Sequence, residues 1–239
     1  LLQPEIQIRP DYFVSTEQIV EVVGPFLTQA RKERISQVVS ARSKSIHVVL
    51  ENIYDRGNSS AVMRSAEAMG FLSVHLIETG EKFKAANRVT QGADKWLDVQ
   101  KWNSSEECVA NLKKQGIRVC VTSLEASKPI GELDFSIPTA LVLGNEKDGI
   151  SETMKSLADE RIILPMQGFV QSYNISVAGA LCLYHIFQDR VQRLGRNGDL
   201  TETEKMALLA NYYFRSLESG PEKVLKFLER YVKPCYKIN

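Results

Sequence analysis

Three stretches of the sequence bring together residue types that bind ligands or stabilise charge. They are ENIYDRGNSSAVMRSAEAMGF at residues 51–71, LVLGNEKDGIS at 141–151 and LPMQGFVQSYNISVAGAL at 164–181. The third stretch is the richest in polar groups, although one capping side chain is enough to start a helix. Its polar residues stand immediately around the start of an apolar segment: Gln171, Ser172, Tyr173, Asn174 and Ser176. This surplus indicates a ligand-binding role.

Each stretch also has a purely structural interpretation when it is taken alone. Asn58 or Ser59 would cap a helix, and Arg64 would lie about two turns further along it at an ordinary surface position. Glu146 would cap the helix that begins near Ser151, or lie in solvent. For an isolated arginine or glutamate we prefer the structural interpretation. In the third stretch, a helix cap explains one of the polar residues but not the whole cluster.

From residue 46 onward, short β-branched runs alternate with amphipathic helical patterns. This alternation is typical of an α/β fold in which helices cover both faces of a mostly parallel sheet. The predicted strands are HVVLEN, SVHLIE, IRVCVTS, TALVLG and RIILP, with a weaker one near WLDVQKW. The predicted helices are SSAVMRSAEAMG, SSEECVANLKKQG, SETMKSLA and ISVAGALCLYHIFQDRVQRLG. Ligands of such sheets bind outside the carboxyl ends of the strands, where all three polar stretches begin.

The two ends of the chain have a different pattern. Residues 1–14 are predicted to be irregular, STEQ at 15–18 predicts a capping-box helix start, and FLTQARKERISQVVSAR after a Gly-Pro break predicts a second helix. Near the C-terminus, TETEKMALLANYYFRSLES and PEKVLKFLERYVK predict two further helices. We therefore predict an N-terminal helical extension, a central domain and a C-terminal helical extension, at residues 1–45, 46–195 and 196–239.

Composition and charge narrow the class of protein. The 239 residues are 44% hydrophobic and 25% charged with a net charge of +1, which is ordinary for a soluble globular protein. The four cysteines, which are far apart, show neither a zinc pattern nor a disulfide framework, and this favours a reducing compartment. No apolar run reaches the roughly 20 residues of a membrane helix. Because the sequence begins with Leu1 and no signal peptide, we expect that a targeting peptide or another domain preceded it.

Basic surface must come from local segregation of charge, because the net charge is so small. Between residues 28 and 45 one acid, Glu33, accompanies five basic residues: Arg31, Lys32, Arg34, Arg42 and Lys44. From Arg190 to Asn239 the sequence has ten Lys or Arg and six acids. Both segments are predicted to present basic faces, with solvated helical surfaces as the alternative.

Two common kinds of site do not occur in the sequence. It has neither G-x-G-x-x-G after a strand nor G-x-x-x-x-G-K-[ST], so neither a dinucleotide fold nor a phosphate loop is indicated. The histidines, His47, His75 and His185, lie in predicted strands or a helix, away from any loop acid or nucleophile. We interpret them as core or surface residues and not as a catalytic triad or a metal site.

Taken together, the three stretches resemble the motifs of the SpoU or TrmH family of SPOUT methyltransferases. N-x5-R runs from Asn58 to Arg64, LGNE-x-x-GI lies at 143–150, and LPM-x-G-x3-S-x-N-x-SVA lies at 164–178. The match covers roughly residues 46–190, and three independent motifs rarely coincide by chance. The flanking helices are similar to those of the tRNA-modifying TrmH branch, where short terminal extensions help to hold tRNA.

The resemblance implies transfer of a methyl group from S-adenosylmethionine to a ribose 2′-hydroxyl of RNA, without a metal, in a fold with a C-terminal deep trefoil knot. Its loops would wrap the adenosine of the cofactor through residues that match Thr122, Gly144, Leu164, Met166, Tyr173 and Asn174. The matching catalytic positions are Asn58, Arg64, Glu146, Ser172 and Asn174. Tyr173 stands where the family often has leucine, which a mainly main-chain contact would tolerate.

Two roles are open for the arginine. Methyl transfer is an in-line displacement, so positioning supplies much of its acceleration. A guanidinium, with a pKa above about 12, is a poor proton acceptor. We therefore favour Arg64 as a phosphate clamp that stabilises developing alkoxide, with general-base action as the alternative. Asn58 and Glu146 would orient Arg64 and the substrate, and Ser172 and Asn174 would fix the ribose.

The resemblance also implies an RNA partner. Similarity to the TrmH branch and the basic terminal segments indicate tRNA, with the D-loop guanosine at position 18 as the expected target. Ribosomal RNA is the alternative substrate. An alternative of another class is a non-catalytic RNA-binding protein of the same fold, and the intact set of catalytic positions argues against it.

A homodimer is predicted as well. Active sites of the family draw residues from both subunits, and the helix ISVAGALCLYHIF is more apolar than one buried face requires. Small residues at Ala178, Gly179 and Ala180 would let it pack closely. We expect a protein of the cytoplasm, or of an organelle after removal of a targeting peptide, with no membrane association.

Overall fold

The computed structural model describes residues 1–9, 12–79, 92, 94–125, 127–217 and 230. The chain divides into two compact units, one formed by residues 1–42 with 200–239 and the other by 43–199. The predicted helix PEKVLKFLERYVK lies outside the described residues except at Arg230, and the three predicted domain ranges stay a prediction.

The elements are numbered in chain order. The strands are β1 (Glu5–Arg9), β2 (Tyr12–Ser15), β3 (Ser43–Glu51), β4 (Phe71–Ile77), β5 (Asp98–Trp102), β6 (Arg118–Thr122), β7 (Lys128–Pro129), β8 (Thr139–Leu143) and β9 (Glu160–Ile163). The helices are α1 (Thr16–Val23), α2 (Gln29–Ser40), α3 (Arg56–Ala68), α4 (Ser105–Lys114), α5 (Glu152–Leu157), α6 (Ile175–Leu194) and α7 (Glu202–Ser216).

The larger unit contains a seven-stranded sheet in the order β5-β4-β3-β8-β6-β9-β7. All neighbouring strands pair in parallel, which confirms the predicted α/β fold class. Six of the seven strands coincide with predicted ones, and β7 was missed because its two residues are too short to show a periodicity. The trefoil knot stays a prediction.

Helices cover both faces of this sheet. Along β3, Ile46, Val48 and Leu50 belong to the apolar cluster that contains α3 and α6 side chains. Val49, which points to the opposite face, belongs to a second cluster with side chains of α4 and α5. The period-two alternation of a strand therefore gives both faces of the sheet an apolar core.

Helix α3 begins earlier than the sequence predicted. Neither Asn58 nor Ser59 is its cap; Asp55 is, and its Oδ1 accepts a hydrogen bond from the Gly57 amide at 2.7 Å. A Cβ on Gly57 would lie 3.0 Å from that oxygen, so glycine suits this helix start, which lies before the predicted one. Asn58 consequently lies in the first turn of α3.

The smaller unit contains an unpredicted hairpin. The N-terminal residues predicted to be irregular include β1 and β2, which pair antiparallel. The predicted capping box is confirmed, because Ser15 and Gln18 exchange hydrogen bonds at the start of α1. Helices α1 and α2 both pack against α7.

Two arginines counted among the basic segments are buried, which corrects those predictions. Arg42 is 1% exposed, and its guanidinium carbon lies 5.8 Å from the ring centre of Tyr212. Arg190 is also 1% exposed, and it bonds to Asp199 at 2.7 Å and to the backbone oxygen of Phe135 at 3.0 Å. Neither side chain belongs to a basic surface.

None of the helices in the described ranges combines the length and the apolar character that crossing a membrane requires.

Candidate active site

A cavity of about 590 Å³ lies at the carboxyl edge of the sheet, beside the neighbouring strands β8, β6 and β9. Its walls are the segments that follow these strands and the first turns of α6. Because β6 lies between β8 and β9, segments distant in sequence meet here, as expected for a parallel sheet. The cavity is lined by eight of the predicted site residues: Thr122, Gly144, Glu146, Leu164, Met166, Ser172, Tyr173 and Asn174.

The segment 144–151, which we call the anchored loop, forms one wall. Asn145 and Gly149 exchange two backbone hydrogen bonds of 2.9 Å, and these close the loop on itself. A Cβ on Gly144 would lie 2.5 Å from backbone atoms of Gly149 and Ile150. Glycine is therefore required at 144 by the loop's own backbone.

Glu146 connects this loop to helix α3. Its carboxylate accepts hydrogen bonds from the Tyr54 amide at 2.9 Å, the Asp55 amide at 3.3 Å and Asn58 Nδ2 at 2.9 Å. The predicted cap on α5 is wrong, because Ser151 caps that helix itself. The structure thus brings Glu146 and Asn58 into direct contact.

These bonds set the charge of Glu146. Partial burial acts to raise the pKa of its carboxyl, but the hydrogen bonds from Asn58 and the backbone outweigh burial and hold the pKa below its usual value. The group is therefore an anion at neutral pH, with its oxygens directed at the start of α3.

The segment 164–174, which we call the rim loop, forms another wall. Asn174 caps α6, and its Oδ1 accepts from the Ser176 amide at 2.9 Å. Ser172 and Tyr173 are exposed and line the cavity. One polar residue of this stretch is thus structural, and its neighbours are left available to a ligand.

Arg64 lies elsewhere. It is exposed on α3 and lines a second, more open depression together with Trp96. Residues six apart on a helix differ by about 600° of rotation, so Asn58 and Arg64 point about 120° apart. The structure therefore joins Asn58 to the cavity through Glu146 but directs Arg64 to a different side of α3.

Sequence reasoning missed the residues that hold the anchored loop. Glu51 at the end of β3 bonds to Ser151, and Asn145 Nδ2 donates to the backbone oxygen of Asn52 at 2.6 Å. Asn52 has a left-handed backbone with φ of 52°. An acid at the end of a buried strand and an asparagine beside it were the available signals.

The histidines form no catalytic site. His47 Nδ1 and His75 Nε2 are 2.9 Å apart inside the sheet, and Trp102 Nε1 donates to His75 Nδ1 at 2.9 Å. Burial lowers the pKa of His47 to about 4 and that of His75 to about 3, so both rings are neutral core residues. The described residues contain no group of three or more His, Cys, Asp or Glu side chains that could hold a metal ion.

Comparison with known proteins identifies the class to which this fold and cavity belong. The sequence profile of the SpoU rRNA Methylase family matches residues 45–184 of this chain. The chain therefore belongs to this family. A tRNA (guanosine(18)-2'-O)-methyltransferase of Escherichia coli (strain K12) is 34% identical over 217 residues, which are 89% of this chain and 92% of that relative.

Solved structures agree with this assignment. The A. aeolicus TrmH/SpoU tRNA modifying enzyme is 30% identical with a TM-score of 0.71, and the match covers 80% of this chain and 98% of that one. The SpoU methyltransferase AviRb from Streptomyces viridochromogenes, in complex with AdoMet, is 25% identical with a TM-score of 0.55, and the match covers 64% of each chain. The predicted resemblance is confirmed.

Proposed function

We propose that this chain transfers the methyl group of S-adenosylmethionine to the ribose 2′-hydroxyl of a guanosine in tRNA, the D-loop guanosine at position 18. The observation that carries the proposal is the cavity, which collects all six predicted cofactor positions from three separate segments of the chain. Relatives with the same activity in their names match most of the chain, which supports the choice of tRNA over ribosomal RNA.

The cavity fits the cofactor in size and in chemistry. Its volume of about 590 Å³ lies within the usual 300–1,000 Å³ of small-molecule sites. Its lining includes apolar side chains suited to an adenine ring, such as Ile162, Leu164 and Met166, and hydroxyl-bearing residues such as Thr122 and Ser172. When bound there, S-adenosylmethionine supplies an electrophilic methyl carbon on a sulfonium leaving group.

Glu146 acts as an orienting anion and not as the base. Three donors of the protein already occupy its carboxylate, and its lowered pKa makes it a weak proton acceptor. It holds Asn58 beside the cavity, where the amide can orient the ribose. Ser172, which is exposed on the rim loop, and Asn174 complete the set of groups that fix the ribose.

Arg64 acts on the cavity of a second subunit. Its direction on α3 separates it from Asn58 of its own chain, and in a homodimer it would reach a ribose bound to the partner. There it clamps phosphate and stabilises the developing alkoxide, because a guanidinium donates in a fixed fork and accepts protons poorly. The proton of the 2′-hydroxyl passes to solvent water. General-base action by Arg64 remains the alternative.

The exposed side of α6 supports this homodimer. Val177, Leu181 and Tyr184 follow one another at helical spacing and are each 42–55% exposed. Gly179, on the opposite side, lies so close to Val62 that a Cβ would approach that side chain to 2.9 Å. The small size of Gly179 thus lets α6 pack against α3 within the chain. The larger apolar residues Val177, Leu181 and Tyr184 face outward to a partner.

The smaller unit, which contains both ends of the chain, supplies basic groups for the tRNA backbone. Arg31 and Arg34 are exposed on α2, where phosphate contacts would hold the RNA without reading its sequence. We place the protein in the cytoplasm, or in an organelle with its own tRNA.

The test is methyl transfer from labelled cofactor to separate pools of tRNA and ribosomal RNA. We expect label in tRNA, on the 2′-oxygen of the D-loop guanosine, and none in a transcript whose target nucleotide is 2′-deoxyguanosine. Label found only in ribosomal RNA would show that ribosomal RNA, and not tRNA, is the substrate. Label on a base would contradict the proposed reaction type. Failure to bind the cofactor would contradict the proposal that this chain is an S-adenosylmethionine-dependent enzyme.

A further inference from the structure

Glu51 is a buried carboxylate to which the proposed reaction assigns no role. It is the last residue of β3, and it is 1% exposed. Burying a carboxylate is costly unless hydrogen-bond donors replace the water it loses. The identity of those donors therefore indicates what the group does.

The donors come from the starts of two helices. Ser105 Oγ, in the first residue of α4, donates to Oε1 at 2.5 Å. Ser151, the cap of α5, donates its hydroxyl to Oε1 at 2.7 Å and its amide to Oε2 at 2.9 Å. The same Ser151 hydroxyl accepts the Met154 amide at 3.1 Å, so the serine can cap α5 and bind Glu51 at once.

Ser151 is also the last residue of the anchored loop. At the other end of that loop, Asn145 Nδ2 donates to the backbone oxygen of Asn52. Both ends are therefore fastened to two consecutive residues, Glu51 and Asn52. The residues between these two points, from Glu146 to Ile150, all line the cavity.

We propose that Glu51 is a positioning residue for cofactor binding: it fixes the C-terminal end of the anchored loop through Ser151 and so keeps the cavity in its binding shape. The inference rests on the proposed function, because the ligand is S-adenosylmethionine. Without the carboxylate, the Ser151 amide and hydroxyl lose their acceptor, and the loop occupies the binding shape only part of the time. Apparent affinity falls in proportion to that occupancy.

The two serines separate positioning from general stabilisation. Ser151 directly follows Ile150 of the cavity lining, whereas Ser105 begins α4, which does not contribute to that lining. Ser105→Ala removes one bond to Glu51 and leaves both bonds to the anchored loop. A second control is Asp199→Asn, because Asp199 accepts from Ser43 Oγ and the Lys44 amide, each at 2.7 Å, in the same unit.

The experiment is calorimetric titration of the full chain with S-adenosylmethionine, at a temperature well below the Tm of every variant. We expect Glu51→Ala to raise the Kd about tenfold. Glu51→Gln, which keeps one oxygen for the Ser151 amide, should raise it by about threefold. Ser105→Ala and Asp199→Asn should lower Tm and leave the Kd within about twofold of wild type.

Several outcomes would overturn the inference. A Kd within twofold of wild type in Glu51→Ala would do so, and Glu51→Gln decides in the same way if the alanine variant does not fold. An equal rise in Kd in the two control variants would assign the effect to lost stability. Absence of binding by the wild-type chain would instead overturn the proposed function, and the inference with it.

Discussion

The two loops that face each other across the cavity are built differently. The anchored loop, 144–151, is closed by its own backbone bonds and fastened to β3 and α3 through Asn145, Glu146 and Ser151. In the rim loop, 164–174, which the structure describes in full, the side-chain hydrogen bonds are confined to Asn174 at its end. Phe169 at its centre is fully exposed.

The difference indicates a division of labour within one site. A wall that is fixed before the ligand arrives lowers the ordering cost of binding. A wall with few internal bonds can adapt to the ligand and to a second subunit, at the cost of being ordered when they bind. We expect the anchored loop to set the shape of the cavity and the rim loop to close around what enters it.

The largest effect should come from a residue outside both loops. Arg64→Ala should reduce the rate of methyl transfer roughly 100- to 1,000-fold, because removing one donor that stabilises charge in a transition state lowers the rate by about that factor. Cofactor Kd should stay within about twofold and stability within about 0.5 kcal/mol, since Arg64 is exposed and outside the cavity. Single-turnover rates and calorimetric titration measure the two quantities.

Arg64→Lys is the matched variant, because it keeps the charge and loses the planar fork. A positioning role predicts a severe loss in this variant too. Normal turnover by Arg64→Ala would show that the two loops suffice for the reaction and would favour a non-catalytic role for the arginine.

A pair of glycines tests the loops against each other. Gly144→Ala would put a Cβ 2.5 Å from backbone atoms of the anchored loop, whereas a Cβ on Gly168 in the rim loop meets nothing within 4 Å. Overpacking of this kind costs about 1–3 kcal/mol, which corresponds to roughly 5- to 150-fold in affinity if the loop must return to its original shape on binding. We expect cofactor Kd to rise by that factor in Gly144→Ala and to stay unchanged in Gly168→Ala. Equal effects in a titration would contradict the comparison.

Within the rim loop, two neighbours should separate structure from chemistry. Asn174→Ala removes the cap of α6 and should cost roughly 1 kcal/mol of stability as well as activity. Ser172→Ala removes an exposed hydroxyl and should lower the rate of transfer while the free energy of unfolding stays within about 0.5 kcal/mol. Urea unfolding and initial rates distinguish them. A loss of stability in Ser172→Ala would show that the rim loop is more firmly held than its bonds indicate.

The smallest effect concerns pH. The anchored loop depends on the ionised Glu146, whereas Tyr173 is the sole titratable side chain of the rim loop. Because the folded pKa of Glu146 lies below the ordinary 4.5, its contribution to stability is present above pH 4.5 and is lost as the pH falls through the folded value. The stability difference between wild type and Glu146→Gln should therefore be constant from about pH 5 to about pH 8 and shrink at lower pH. Urea titrations at several pH values measure it, and a difference that persists in acid would show that the anchor does not depend on charge.

Much of the fold followed from local pattern. The central strands and helices, the Ser15 capping box and the α/β class were predicted and are confirmed, because strand alternation, helical periodicity and helix caps are encoded within a few adjacent residues. The three motifs also sufficed for the family. The catalytic and cofactor-binding roles, the knot and the dimer stay predictions.

Other features were decided by tertiary contacts. The partners of Glu146 lie 88 to 92 positions earlier, and Ser151 meets Glu51 across 100 positions. The burial of Arg42 and Arg190 likewise depends on where neighbouring elements pack. Local sequence specifies which groups a segment offers, but the strand order of the sheet determines which of those groups meet, because a hydrogen bond forms within about 3 Å in space whatever its separation along the chain.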